Sequence, residues 1–292
     1  MHWKMAIELT PEEVRDWLLS GGYGEILSTN PVGGGCINNG MIVETNTGRT
    51  FFLKTNLNSP GDMFEREVEG LKALDVQDGP RVPAPYLWGR NFILMEDLKP
   101  AVPHQNYWPD FGRKLAGLHQ HTMDRFGFHH DNYIGSTPQI NPWVEDGFSF
   151  FSEQRLIFQA NLAFNRGFLN KGEMDGVEYL TNHLKELVPV QPASLLHGDL
   201  WSGNAITGEN GEPAIIDPAA YYGWGEADLA MTTLFGTFPE SFYQAYQEIR
   251  PIETGFQQRF PIYNLYHLLN HLNLFGVGYL GQVRSILNRF RN

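Results

Sequence analysis

The segment His197-Gly198-Asp199-Leu200-Trp201-Ser202-Gly203-Asn204 carries the strongest chemical signal in this 292-residue chain. It follows the apolar stretch Ser194-Leu195-Leu196 and sets an acid and an amide with four residues between them. That pattern suits phosphoryl transfer to an alcohol. Asp199 would receive the hydroxyl proton, and Asn204 would help hold a divalent cation, with one tight loop fixing both positions. A second acid, Asp217, ends the apolar pair Ile215-Ile216. A carboxylate at a strand end, close to an amide oxygen, is a natural second ligand for Mg²⁺. Alone, Asp217-Pro218 reads as a turn and Asp199 as a cap; together and in this order they favour chemistry.

Three features nearer the N-terminus fit the same reaction. Lys54 ends the apolar run Phe51-Phe52-Leu53 and could reach nucleotide phosphates, with Glu67 on the following helix to hold its extended side chain. The turn Gly33-Gly34-Gly35-Cys36-Ile37-Asn38 precedes both, and its backbone N–H groups could cradle phosphate oxygens. Without the other motifs an ordinary hairpin would be the better reading of those glycines. Met95-Glu96-Asp97-Leu98 follows an apolar strand, where exposed backbone could meet an adenine edge.

The elements that must position these residues can be read from hydrophobic period and turn chemistry. Met5 to Ser20 reads as a helix, with Thr10 as N-cap, Pro11 at the first helical position and Val14, Trp17 and Leu18 on one face. Glu25–Val32, Met41–Thr45 and Thr50–Thr55 read as strands, with Asn46-Thr47-Gly48 as a hairpin turn. Phe64–Leu74 reads as a helix and Phe92–Met95 as a short strand, with an irregular Pro80, Pro83, Pro85 connection between them. Further on, Asp110–His121, Phe148–Arg166, Gly176–Leu187, Pro239–Glu248 and Arg259–Phe275 read as helices, and Phe126–Trp143 as a long ordered loop. The expected fold is α+β: a small antiparallel sheet lobe over residues 1–98 and a mostly helical lobe over 99–292.

Composition narrows the partners. Lys and Arg total 21 against 33 Asp and Glu, giving a net charge of -12. Such a surface repels nucleic acid and mildly favours cationic small molecules. No apolar run approaches the length of a membrane helix, and no signal peptide is visible, so a cytoplasmic protein is expected. Cys36 is the single cysteine, which excludes an intramolecular disulfide and any cysteine-built metal centre. It leaves open an intermolecular link under oxidation, in a protein expected to be a monomer or homodimer. His267 and His271 are spaced as a helical metal pair but lack a third ligand, so a structural role is favoured.

Lys54, Glu67, Asp199, Asn204 and Asp217 stand in kinase order, and the His-Gly-Asp form of the loop is similar to the aminoglycoside-phosphotransferase and choline-kinase branch. Within it the chain resembles the fructosamine kinase (ketosamine-3-kinase) family. The segments that carry this are Gly33–Asn38, Met63–Glu67, Gly127–Asn132, Ile134–Gln139, Asn141-Pro142-Trp143, His197–Asn204, Asp217-Pro218-Ala219 and Tyr221-Tyr222-Gly223. The resemblance implies a two-lobed protein-kinase-like fold. It also implies ATP- and Mg²⁺-dependent phosphorylation of a sugar hydroxyl on a ketoamine, free or protein-bound, whose 3-phosphate then sheds the sugar. It assigns Asp199 as base, Asn204 and Asp217 as metal ligands, and Lys54 with Glu67 as the phosphate-binding pair. One departure is Gly223-Trp224-Gly225-Glu226, where the family has Gly-His-Arg-Glu. Trp201, Tyr221 and Trp224 are candidates to hold a protonated ketoamine by cation–π contact, the competing reading being core. Other hydroxylated amines (an aminoglycoside or a choline-like compound) and a non-catalytic ATP-binding scaffold are the alternatives.

Overall fold

The computed structural model describes residues 10–33 and 38–291, so Gly34, Gly35 and Cys36 of the glycine-rich turn, and the first residues of the predicted N-terminal helix, lie outside it. Helix α1 (Glu12–Ser20) begins after Pro11, which stands at the N-cap with an extended ψ of 142° and no side-chain cap bond. Pro11 therefore sits one position earlier than the sequence reading placed it. Val14 and Leu18, one turn apart, are fully buried.

They pack on a five-stranded antiparallel sheet. Its strands are β1 (Ile26–Val32), β2 (Asn39–Thr45), β3 (Thr50–Thr55), β4 (Pro85–Gly89) and β5 (Phe92–Glu96), in the order β1-β2-β3-β5-β4. Side chains alternate across the pleat. Phe51 and Leu53 join Val14, Leu18, Val43, Phe92 and Leu94 in a small core under α1. The residues between them in sequence, Phe52 and Lys54, therefore project from the opposite face. Helix α2 (Met63–Leu74) contributes Phe64, Val68, Leu71 and Leu74 to the large core, together with Ile93 and Met95 of β5.

The remainder is mainly helical. It holds α3 (Tyr107–His119), strands β6 (Thr122–Met123), β7 (Asn132–Ile134) and β8 (Thr137–Gln139), and α4 (Gly147–Phe150). A π-helical segment (Phe151–Ile157) leads from α4 into α5 (Phe158–Asn165). Then come α6 (Lys171–Asn182), α7 (Leu184–Leu187), β9 (Ala193–Leu196), β10 (Ala205–Thr207), β11 (Pro213–Ile215) and β12 (Tyr221–Gly223). Helices α8 (Gly225–Met231), α9 (Glu240–Ile249), α10 (Phe256–Phe275) and α11 (Leu280–Arg289) complete the chain. Among the described residues no helix is long and apolar enough to cross a membrane.

Several elements escaped the sequence reading for physical reasons. β7 and β8 form a three-residue hairpin inside the predicted loop, too short to show a period. β4 starts at Pro85, within the stretch expected to be irregular. Every residue of α8 is buried, so it has no polar face and no amphipathic stripe.

Helices α3 and α9 approach so closely at Gly112 that a Cβ there would lie 2.1 Å from Phe242 O. Backbone cannot yield as a flexible side chain can. Gly112→Ala is therefore expected to lower stability by about 1–3 kcal/mol, measured by urea unfolding; an unchanged midpoint would show that the two helices slide apart freely.

Candidate active site

Short strands bring the candidate acids together. β9 runs directly into the His197–Asn204 loop, which feeds β10. β10 pairs with β11 in the register Ala205↔Ile215. That register sets Asn204 beside Ile216, whose N–H donates to Asn204 O at 3.1 Å, and Asp217 is the next residue. His197 closes the arrangement. Its Nε2 donates to Ile216 O at 2.9 Å, and its Nδ1 accepts from the Asp199 N–H at 3.2 Å. This is a neutral imidazole, and burial lowers its pKa accordingly.

The loop demands glycine at 198. Gly198 has φ +82°, and a Cβ there would lie 2.0 Å from Ala219 O. Asp217 has a φ of +58°, rare for a non-glycine residue and a mark of backbone held under strain. Pro218, Ala219 and Ala220 follow it, and the family-like segments fasten them. Gln139 Nε2 donates to Ala219 O at 2.9 Å, and Asn132 Nδ2 to Ala220 O at 2.8 Å. Asn141 Nδ2 donates to Asn132 Oδ1 at 3.0 Å, and the buried Arg155 donates to Asn141 Oδ1 at 2.7 Å while lying over the Tyr221 ring. Gln139 of the Gly-Ser-Thr-Pro-Gln segment, and Asn141 of the Asn-Pro-Trp segment through Asn132, thus brace the backbone that follows Asp217.

Lys54 joins the two halves of the chain. Its Nζ lies 2.7 Å from Glu67 Oε1 and 2.5 Å from Asp217 Oδ1. Burial alone would pull the lysine pKa down, but the two carboxylates more than offset that and hold it raised, so the ammonium stays charged. Asp199 takes an amide hydrogen bond from Asn204 Nδ2, at 3.2 Å to Oδ2, and the same amide reaches the Asp199 carbonyl at 2.8 Å. Burial, then the negative charge of Asp217, pushes the Asp199 pKa up to about 7, partly opposed by the Asn204 bond.

The other sequence candidates fall into place unevenly. Asn38 Oδ1 accepts from Asn56 Nδ2 at 3.1 Å, just past the Lys54 strand. Gly33 is exposed, and an added Cβ there would meet nothing within 4 Å. Met95 and Leu98 are buried; the Glu96 N–H is taken by Ala84 O at 2.8 Å, its carboxylate pairs with Arg81, and Asp97 Oδ1 accepts from the Lys99 N–H. Trp201, two residues after Asp199, is half-buried. Tyr221 and Trp224 correct the expectation of an open aromatic wall: they are only 2% and 3% exposed. Trp224 packs on Phe148, Phe151, Phe126 and Tyr263, and is core.

Residues 17–292 match the sequence model of the fructosamine kinase family. The chain belongs to that family. It is 43% identical over 265 residues to a "Probable ketoamine kinase" of Synechocystis sp., covering 88% of each chain. It is 41% identical over 292 residues to the chloroplastic protein-ribulosamine 3-kinase of Arabidopsis thaliana, covering 97% of this chain and 88% of the relative. A Thermobifida fusca crystal structure, provisionally named a fructosamine-3-kinase, superposes with a TM-score of 0.87 at 29% identity, over 97% of this chain and 99% of that one. An ADP-bound aminoglycoside phosphotransferase superposes at 0.64 and 13% identity, covering 95% and 97%, a likeness of fold alone. The fold of this fructosamine kinase family member is accordingly the two-lobed, kinase-like α+β fold.

One residue of its site went unread in the sequence. Asp228, 1% exposed on α8, accepts from the backbone N–H of His197 at 2.7 Å and of Gly198 at 2.9 Å, and from His119 Nε2 at 3.2 Å. Burial would raise its pKa, but these donors hold it lowered and ionised. It fixes the peptide just ahead of Asp199. The available signal was an acid inside the apolar run Ala227–Met231, where a buried charge needs partners.

The raised Asp199 pKa fixes a sign. A carboxyl that holds its proton more tightly folded than unfolded contributes stability at low pH and loses it as pH rises through the folded value. Asp199→Asn is therefore expected to be more stable than wild type in EDTA, by a margin that opens between about pH 4 and about 7 and then levels off. Thermal unfolding across pH measures it; a constant margin would place Asp199 in an ordinary solvated environment.

Proposed function

We propose that this protein transfers a phosphoryl group from ATP to a sugar hydroxyl of a ketosamine. The observation that carries the reading is the Lys54–Glu67–Asp217 ion cluster. A charged, immobilised ammonium meets a strand-end carboxylate, one strand register from the Asp199–Asn204 pair. Lys54 supplies positive charge for phosphate oxygens in a protein that is otherwise acidic. Asp199, with its pKa pushed up to about 7, receives the acceptor hydroxyl proton, and Asn204 orients it. Asp228 keeps the loop backbone from swinging. Trp201 stands beside the base, where it can flank a sugar amine.

Asn204 and Asp217 offer hard oxygen donors of the kind Mg²⁺ prefers. Among the described residues no group of three His, Cys, Asp or Glu side chains could hold a metal ion by itself, so an ion held there would share phosphate oxygens. When bound, Mg²⁺ supplies charge neutralisation on the phosphates. The Gly33–Gly35 turn with Asn38 as phosphate cradle, the 95–98 segment as adenine contact, and the lobe division at 98 belong to the same proposal. So do a cytoplasmic location and a deglycating outcome, in which a phosphate beside the ketose carbonyl becomes a leaving group and the amine is released. Relatives named for ketoamines and ribulosamines support this acceptor over an aminoglycoside or a choline-like amine.

With ATP and Mg²⁺, ribulose–lysine or fructose–lysine adducts should be phosphorylated, and Asp199→Asn should lower kcat by roughly 10²–10⁴-fold. Lys54→Met should raise the KM for ATP. Phosphate transfer to an aminoglycoside or choline but to neither adduct would refute the ketosamine assignment.

A further inference from the structure

A file of aromatic rings leads away from the catalytic loop. The Trp201 indole lies across Gly203, where an added Cβ would fall 2.3 Å from the ring. Phe235 meets the indole edge-on at 6.0 Å. Ser202 Oγ donates to Phe235 O at 2.9 Å, so the turn that carries Phe235 is tied to the loop that carries Asp199. The next ring is His271, 4.6 Å from Phe235, and beyond it Tyr279 and Phe275 lie 5.1 and 5.4 Å from His271. At the outer end Phe275 is 49% exposed and Val277 65% exposed.

The segments that build this shelf are free of formal charge. No Asp, Glu, Lys or Arg occurs between Asp228 and Glu240, or between Arg259 and Arg284. His271 lies between Phe235 and the outer rings. Its Nδ1 donates to His267 O at 2.8 Å, which leaves Nε2 unprotonated and able to accept a hydrogen bond. Burial lowers its pKa and keeps the ring neutral.

We propose that this shelf is the binding site for the carrier of the sugar: the lysyl side chain and flanking backbone of a polypeptide-bound ketosamine. The proposal rests on the kinase reading above. A sugar with one hydroxyl at Asp199 reaches Trp201, and a free sugar amine has nothing to lay on the rings farther out. A lysyl stem and neighbouring backbone do, since they present CH₂ and Cα–H groups to ring faces, and the substituted ammonium is drawn to the same faces. An anionic carrier, such as an amino-phospholipid headgroup, would need cations that these segments do not contain. Exposed apolar side chains, Phe275 and Val277, at the outer end of half-buried rings that begin at the loop are the kind of surface that marks such an interaction.

The test uses two adducts of one sugar, the first on methylamine and the second on the lysine of a neutral, end-blocked peptide. The proteins are wild type, Phe275→Ser and the double variant Phe275→Ser/Val277→Ser, which change exposed side chains only. The ratio of kcat/KM for the peptide adduct to that for the methylamine adduct should favour the peptide in wild type. It should fall by about fivefold in the single variant and further in the double one, through KM. An unchanged ratio across the three proteins, with wild type turning over both adducts, overturns the shelf and leaves the kinase reading standing. Failure of wild type to phosphorylate either adduct overturns the kinase reading and the shelf with it.

Discussion

The site depends on one ammonium held between two carboxylates. Lys54 projects from the middle strand of the sheet, Glu67 from the helix that backs it, and Asp217 from a strand end in the helical part of the chain. A buried ammonium left alone would lose its proton. With both acids within hydrogen-bond reach its pKa rises instead, and the charge becomes a fixed feature of the fold. In the reaction we propose, this ammonium is the fixed positive charge that would meet phosphate oxygens. It also couples the geometry of the two lobes, because any movement between them must stretch or trade these ion pairs.

Around that cluster the backbone is held by buried polar side chains. Asp228 gathers two loop N–H groups and a histidine, while Asn132 and Gln139 tie down the carbonyls of Ala219 and Ala220, with Asn141 holding Asn132 and Arg155 holding Asn141. These bonds run in a low-dielectric interior, where a satisfied network is stiff and a missing partner is costly. The left-handed backbone at Asp217 and the glycine-only approach at Gly198 persist because the network leaves the chain no alternative path. The His197–Asn204 loop is thus positioned by buried contacts from behind.

The acceptor side we propose is built differently. The Trp201 and Phe235 rings lie along the loop that carries Asp199, whereas the proposed nucleotide side is built from the Lys54, Glu67 and Asp217 ions. The reaction asks for this division. One substrate is a polyanion that needs fixed charge; the other is a sugar on an amine, better held by ring faces and a few hydrogen bonds. Trp224 and Gly225, where the resemblance implies a His-Arg pair, are both buried, so this departure lies in core packing, while Trp201 stays half-buried.

What the sequence determined by itself is local. The Asp199–Asn204 spacing, the apolar run ending at Asp217, and Lys54 at the close of a strand are legible because each is a short pattern of residue types with one plausible chemistry. Strands β1, β2, β3 and β5 and the amphipathic helices were readable for the same reason. Tertiary structure alone decided what is buried and what meets. Tyr221 and Trp224 carry the same aromatic label as Trp201, yet packing put them in the core and left Trp201 half open. Asp228 looked like any acid until α8 was enclosed on every side, and the polar motif around Gln139 had no evident task until it met the backbone after Asp217. Burial and long-range pairing are properties of how segments pack together, and no local spacing along the chain encodes them.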